Sequence, residues 1–180
     1  MIRPPLPTRL ENDQAILLPL QPEDFEVLYT VAADPLIWEQ HPNKDRWQEP
    51  VFRTFFNGAM QSGGAFKIID KASGEVAGST RMYDFDAADQ SILVGYTFFG
   101  RAYWGKGLNL SVKALLLDYL FQYVSQVYFH IGAGNVRSQI AIGRLGAVKT
   151  GELEVAYFGE PERLNYVYRI RREDWKGLAS

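Results

Sequence analysis

The sequence predicts an α+β protein: a mixed, mostly antiparallel twisted sheet of about seven strands, with helices on both faces and one parallel strand-helix-strand crossover. Three observations carry this. Residues 65–99 read as three β runs separated by short polar turns, an antiparallel meander. The third run enters a glycine-rich turn, Gly100 to Gly107, which opens a long apolar helix. A further β run, Val127 to Ile131, follows that helix, and strand-helix-strand order within one sheet implies a parallel crossover.

Taken in order, residues 1–13 hold three prolines and then Glu11-Asn12-Asp13, an extended lead-in. Ala15 to Leu20 is a short apolar strand that ends at Gln21-Pro22. Pro22-Glu23-Asp24 places proline in a first helical turn and carboxylates at the positive end of the dipole, so a helix is expected over Glu23 to Ala33. Leu36 to Gln40 forms a short helical turn after Asp34-Pro35, and residues 41–45 are a loop. Between Pro50 and Gln61 the apolar Val51, Phe52, Phe55, Phe56, Ala59 and Met60 recur at helical spacing, up to Ser62-Gly63-Gly64.

The meander comprises Ala65 to Asp70, Glu75 to Tyr83 and Ser91 to Phe99. Lys71-Ala72-Ser73-Gly74 makes its first turn and the acidic loop Asp84 to Asp89 its second. A helix is expected over Gly107 to Val124 and another over Asn135 to Leu145, after the break at Gly132-Ala133-Gly134. Strands near Val148 to Phe158 and Leu164 to Arg171 complete the sheet.

Composition narrows the function. A chain of 180 residues, 47% hydrophobic, is short for two domains, so one domain over 1–180 is expected. A net charge of −2 with mixed signs gives no general attraction to nucleic acid or to an anionic membrane. There is no cysteine, and His41 and His130 are the only histidines, so no disulfide and no metal site is expected. The residues from Met1 to Leu6 lack the apolar core of a signal peptide, and no apolar run reaches membrane length. A cytoplasmic protein is expected, with a homodimer left open.

The turn before the long helix is where chemistry is expected. A helix that starts straight after Gly-x-Gly directs its free N–H groups and its positive end into the turn, which suits an anion. Gly100, Gly105 and Lys106 follow the spacing of a P-loop, but Gly107 stands where a Mg²⁺-binding Ser or Thr is needed. Gly105 and Gly107 begin a dinucleotide fingerprint, but Leu110 occupies its third glycine position. The pyrophosphate of coenzyme A on successive backbone amides needs neither feature and fits. The remaining alternative is a tight turn with no ligand.

Gly95-Tyr96, then Tyr103-Trp104-Gly105-Lys106-Gly107-Leu108-Asn109, then Lys113 resemble the acetyl-CoA site of the GNAT superfamily. The nearest likeness is to the branch of RimJ/RimL-type ribosomal-protein alanine N-acetyltransferases. The second half of that pattern appears as Asn135-Val136-Arg137-Ser138-Gln139-Ile140-Ala141-Ile142, closing on Leu145-Gly146-Ala147. The resemblance runs from about Phe66 to Gly151 and is weaker outside it. Ala102 stands where relatives carry Gln or Arg, so no side-chain contact to pyrophosphate is carried over there.

The resemblance implies transfer of an acetyl group from acetyl-CoA, with no metal, to a primary amine of a protein N-terminus or a small molecule. The amine attacks directly in a ternary complex. It also implies that coenzyme contacts come from Tyr96, Thr97, Phe98 and Phe99 through their backbone, and from Trp104, Gly105, Lys106, Gly107, Leu108 and Asn109 around the turn. The side chains of Phe98 and Phe99 read equally well as core. Asn135 either caps the following helix or holds the coenzyme, and the two are compatible. Ser138, the Ser of N-x-x-S, is the candidate proton donor to the leaving thiolate, with a surface helix serine as the alternative.

No general base is evident, because Leu93 stands where relatives often carry Glu. Asp84, Asp86, Asp89, Glu39 and His41 could act through water or simply be solvated loop residues. An α-amine of pKa near 8 is about a tenth neutral at pH 7, whereas deprotonating a lysine costs about 4–5 kcal/mol, so weakly basic amines are favoured. Two alternatives remain: an acyl-CoA sensor without turnover and a P-loop nucleotide-binding protein.

On the long helix, Ser111, Asp118, Gln122 and Ser125 share one stripe, expected to face solvent. Asn109 and Lys113 lie opposite, beside Leu116 and Leu120. Asn109 is expected to order the phosphate turn. The Lys113 ammonium is expected to bond carbonyls or a carboxylate supporting the coenzyme site, or to snorkel along its stem to water.

Overall fold

A short strand that the sequence hides, β1 (Leu10–Glu11), turns back at Asn12 onto β2 (Ala15–Pro19). Asn12 makes the reversal itself, its Oδ1 accepting from the backbone N–H of Gln14 and Ala15 at 3.0 and 2.9 Å. The computed structural model describes residues 2–178. Met1, the first residue of the expected lead-in, and residues 179 and 180 at the end of the expected domain lie outside the described residues.

The other strands are β3 (Ala65–Asp70), β4 (Val76–Asp86), β5 (Ser91–Phe99), β6 (Gln126–Gly132), β7 (Val148–Ala156) and β8 (Glu162–Arg171). Among the described residues they form one eight-stranded sheet in the order β1-β2-β3-β4-β5-β6-β8-β7. Only β5 and β6 pair in parallel. The fold class is therefore as expected, with eight strands in place of about seven because two-residue β1 is too short for any alternation to register. β4 also runs on to Asp86, so Asp84 and Asp86 belong to a strand end rather than to a loop.

Among the described residues four α-helices flank the sheet: α1 (Phe25–Ala32), α2 (Glu49–Ser62), α3 (Leu108–Leu120) and α4 (Val136–Arg144). The expected helix start at Glu23 is a 3-10 turn, Pro22–Asp24, and the expected turn after Asp34 is another, Pro35–Trp38. Gln21 N–H donates to Asp24 Oδ2 at 2.8 Å and fixes the entry to α1. α2 stops at Gly63, whose φ of 65° is the left-handed cap that glycine supplies without strain. α3 ends four residues before the expected Val124.

Alternation along the strands builds two cores. Phe66, Ile68, Ile92, Val94, Val127, Phe129 and Ile131 face α3 and α4. Ala65 and Phe98 face α1 and α2, where Phe25, Phe52, Phe55, Phe56 and Trp38 cluster. In α3, Leu116, Leu117 and Leu120 are almost fully buried. Each such side chain contributes about 1.5–3 kcal/mol by leaving water.

Of the register shifts in the sheet, the one that shapes the site lies in β5. Arg81 pairs with Gly95 but Ser79 pairs with Phe98, so β5 carries an extra residue between those pairs. Tyr96 absorbs it with a φ of 52°. The bulge reverses parity: Val94 faces α3, whereas Phe98, four positions on, faces α2. Parallel pairing with β6 stops at Leu93↔Tyr128, and the two strands diverge beyond it.

Candidate active site

That divergence opens a cavity of about 620 Å³, within the usual range for small-molecule sites. Its lining comes from both faces of the sheet. Val94, Phe99, Leu108, Lys113, Phe129 and Ile131 belong to the α3 side, and Ile37, His41, Arg46, Tyr96, Phe98 and Tyr157 to the other. The cavity therefore passes through the sheet between β5 and β6.

The α3 side holds most of the residues singled out in the sequence. Tyr96, Thr97, Phe98, Phe99, Trp104, Gly105, Gly107, Leu108, Asn109, Asn135 and Ser138 all line the cavity. Lys106 is exposed and does not. Gly105 and Gly107 adopt φ of 72° and 79°, and Gly107 is the N-cap of α3, so the first N–H groups of that helix have no side-chain cap. Trp104 Nε1 donates to Phe99 O at 3.0 Å and ties the turn to the end of β5.

Asn135 caps α4, its Oδ1 accepting from Ser138 N–H at 3.2 Å. The cap fixes the first turn of the helix, and with it Ser138, at the cavity wall. Arg137 stacks on the Trp104 ring at 3.7 Å, donates through Nη2 to Ile37 O at 3.3 Å, and its backbone N–H reaches Gln40 Oε1 at 3.0 Å. One residue thus joins α4, the glycine turn and the segment after α1.

Asn109 and Lys113 point inward as expected. Asn109 Oδ1 is buried, lines the cavity and accepts no hydrogen bond. Lys113 is only 5% exposed, so it does not snorkel to water. Its Nζ bonds a hydroxyl, Thr97 Oγ1, and not the carbonyl or carboxylate that was expected. Thr97 Oγ1 in turn shares a 2.9 Å hydrogen bond with Thr80 Oγ1. Burial pushes the Lys113 ammonium down to about 7. Ser111 departs from its expected solvent stripe: it is buried, and Asn12 Nδ2 donates to its Oγ at 2.8 Å.

The opposite end is aromatic and basic. Tyr96 meets Tyr157 edge-on at 5.1 Å and Tyr83 at 5.0 Å. Arg46 lies over the Tyr157 ring at 5.4 Å and pairs with Glu160. Arg81 stacks behind Tyr96 at 3.7 Å, and its Nε has no hydrogen-bond partner. Burial lowers the Arg81 guanidinium to about 10. Gly132 is needed here, since a Cβ would sit 2.7 Å from Pro42 Cγ and force the 41–42 loop away.

Of the five base candidates only His41 reaches the cavity. Asp86 Oδ1 is engaged by Ala88 N–H and Asp89 N–H in its own turn. Asp84 and Glu39 are exposed. Burial, then the charges of Arg46 and Arg137, hold the His41 imidazole down at about 3, so it is neutral at pH 7. His130, which sequence reasoning passed over along with Arg46 and Tyr157, also lines the cavity, and burial lowers its pKa despite the nearby Asp84. No spacing signal could have joined residues so far apart in the chain.

With this geometry in place, residues 14–148 match the family described as acetyltransferase (GNAT) domain. The chain belongs to the GNAT acetyltransferases. No curated protein matches the sequence. Among solved structures, a GCN5-related N-acetyltransferase from Brucella melitensis superposes with a TM-score of 0.79 at 20% identity, over 95% of this chain and 82% of that one. A GNAT-family acetyltransferase from Bacillus anthracis gives 0.74 at 17%, over 92% and 99%. Mycobacterium smegmatis RimJ in complex with CoA-disulfide gives 0.69 at 17%, over 91% and 85%. These likenesses concern the fold.

As a GNAT member the protein is an acetyl-CoA-dependent acetyltransferase acting on an amine. The P-loop and dinucleotide readings therefore fall. The site's residues fit coenzyme A: uncapped amides at a glycine turn suit a pyrophosphate, and the orphaned Asn109 Oδ1 lacks the donor that an N–H of the coenzyme can provide. Among the described residues no group of His, Asp and Glu is gathered to hold a metal, and no helix is long and apolar enough to cross a membrane.

Proposed function

We propose that this chain is a single cytoplasmic N-acetyltransferase domain that moves an acetyl group to a primary amine, a protein N-terminal α-amine or a small molecule, by direct attack in a ternary complex. The observation that carries the reading is the two-sided cavity: the coenzyme enters from the α3 side and the acceptor from the α1–α2 side, meeting between β5 and β6.

Acetyl-CoA supplies the acetyl group as a thioester already activated toward nucleophiles. Backbone N–H groups of Gly105, Lys106, Gly107 and Leu108 hold the pyrophosphate, favoured by the α3 dipole. The backbone of Tyr96 to Phe99, beyond the last β5–β6 pair, is available to bond the amides of the pantetheine arm as an added strand would. Asn109 Oδ1 accepts from the coenzyme, and Trp104 keeps the turn in register with β5.

Asn135 positions Ser138, whose Oγ gives its proton to the departing sulfur. Ser138 regains a proton from the amine side. An amine and a thioester thus become an amide and a thiol with no net proton change. Among the described residues no carboxylate lines the cavity to take up the ammonium's proton, so the acceptor arrives neutral, and the basic surroundings of Tyr96 assist by disfavouring its ammonium form.

Calorimetry with acetyl-CoA against ATP and Mg²⁺, followed by thiol release with a panel of amines, tests the proposal. Coenzyme binding with amine-dependent thiol release is expected. Binding without release from any amine would indicate an acyl-CoA sensor instead.

A further inference from the structure

We infer that the acceptor end of the cavity selects a primary monoamine with an apolar or aromatic group beside the nitrogen, and rejects amines that carry a second positive charge. This rests on the proposed N-acetyl transfer at the same cavity and narrows its acceptor.

The argument is electrostatic and steric together. The charged side chains in the lining are Arg46, Lys113, Arg137 and Arg144; among the described residues no aspartate or glutamate joins them. Of the carboxylates near the lining, Asp84 beside His130 and Glu39 near Arg137 are exposed to solvent outside it, and the Glu160 side chain is only 6% exposed and bound by Arg46 at 2.7 and 2.9 Å. The charge of Glu160 is already balanced by Arg46, and burial keeps its remaining lone pairs away from a ligand's ammonium. Arg81 covers the Tyr96 ring from behind, so that ring's attraction for a second cation is already spent. The Tyr157 hydroxyl donates to Asn165 Oδ1 at 2.6 Å, and its oxygen can offer an ammonium no more than a neutral acceptor.

A second ammonium entering here would lose its water and find guanidinium groups, neutral imidazoles, ring edges and neutral polar groups such as Gln40, but no carboxylate in the lining among the described residues to balance its charge. The reacting amine is spared the burial of an ammonium, because it sheds its proton before attack, and the cost it meets is that of deprotonation. Its substituent meets Tyr96, Tyr157, Pro42 and Ile37, where apolar surface gains by burial. Polyamines and aminoglycosides carry several ammonium groups and are excluded. A free arylalkylamine and a peptide with an apolar N-terminal residue share the selected chemistry.

The full chain is assayed by thiol release with phenethylamine, a peptide amide beginning with Phe, spermidine and kanamycin. The same amines are titrated by calorimetry into protein saturated with CoA. The expected kcat/KM for at least one monoamine exceeds those of spermidine and kanamycin by at least about tenfold, and binding follows the same order. Comparing phenethylamine with the Phe peptide tells a small-molecule source from a polypeptide one. Spermidine or kanamycin matching the monoamines in rate or affinity overturns the inference, as does failure of every monoamine to bind. Selective monoamine binding with no thiol release sustains this inference and refutes the catalytic reading on which it draws. A second arm uses His41→Glu, which places a carboxylate in the lining. It should raise spermidine binding relative to phenethylamine by about tenfold, and an unchanged ratio in folded protein also overturns the inference.

Discussion

Arg46 grips Glu160 through two hydrogen bonds, Nε to Oε1 at 2.7 Å and Nη2 to Oε2 at 2.9 Å, across 114 positions of sequence. The pair ties the segment between α1 and α2 to the turn between β7 and β8, and both side chains are buried to within a few per cent. Three rings, those of Trp38, Phe55 and Tyr157, lie within 5.6 Å of the guanidinium carbon. One wall of the acceptor end is therefore held by a single desolvated ion pair.

Glu160→Gln leaves that guanidinium buried without its counter-charge. The expected loss is about 3–5 kcal/mol, read as a lower urea midpoint with an unchanged slope. A loss under about 1 kcal/mol would mean that the charge of Arg46 is compensated by the rings alone.

Gly105→Asp and Gly107→Asp should abolish acetyl-CoA binding while the protein stays folded. Both positions have positive φ, so each variant bears a backbone strain of about 1–2 kcal/mol, and no heavy atom lies within 3.9 Å of a Cβ at either site to force a larger rearrangement. The carboxylate then sits at the anion site. Wild-type affinity in a soluble variant, measured by calorimetry, would place the phosphates elsewhere.

The meander, the glycine turn and the long apolar helix were readable because each has a local signal: alternation, a Gly-x-Gly turn, a run of leucines. The inward direction of Asn109 and Lys113 followed from helical period alone. What was not readable depends on distant partners. Ser111 is buried because Asn12, 99 positions earlier, donates to it. Lys113 found a hydroxyl because the Tyr96 bulge turns Thr97 toward α3, and nothing in Gly-Tyr-Thr announces a tyrosine with φ of 52°. His130, Arg46 and Tyr157 converge on the cavity from β6, the loop before α2 and the turn just after β7, with no motif to join them.

Ser138→Ala should lower kcat by about tenfold or more and leave the affinity for acetyl-CoA near wild type, because a proton given to the leaving sulfur matters mainly in the transition state. The fold should be untouched, since it is the backbone N–H of Ser138, not its hydroxyl, that Asn135 caps. Asn135→Ala, by contrast, should cost about 1 kcal/mol of stability through the lost cap. Steady-state kinetics alongside direct coenzyme binding separates the two effects; unchanged turnover in Ser138→Ala would leave that residue a helix surface serine.

Lys113→Met keeps the stem and removes the ammonium, and its effect should depend on pH in a defined direction. The lysine titrates near 7 in the folded protein and near its ordinary value of 10.5 when unfolded. Between these values the unfolded chain binds the extra proton, so wild-type stability rises with pH across that window and is lowest at pH 7 and below. The methionine variant has no such titration. It should be the more stable protein at pH 7, by about 1–3 kcal/mol, with the difference shrinking as pH approaches 10. Its KM for acetyl-CoA should rise at least about threefold, because Thr97 keeps only its bond to Thr80 and the cavity loses a titrating ammonium beside the expected path of an anionic ligand. Thermal melts at several pH values and steady-state kinetics read both effects. If stability and KM at pH 7 both match wild type, Lys113 is not held charged-averse by burial, and its bond to Thr97 carries no weight in the coenzyme site.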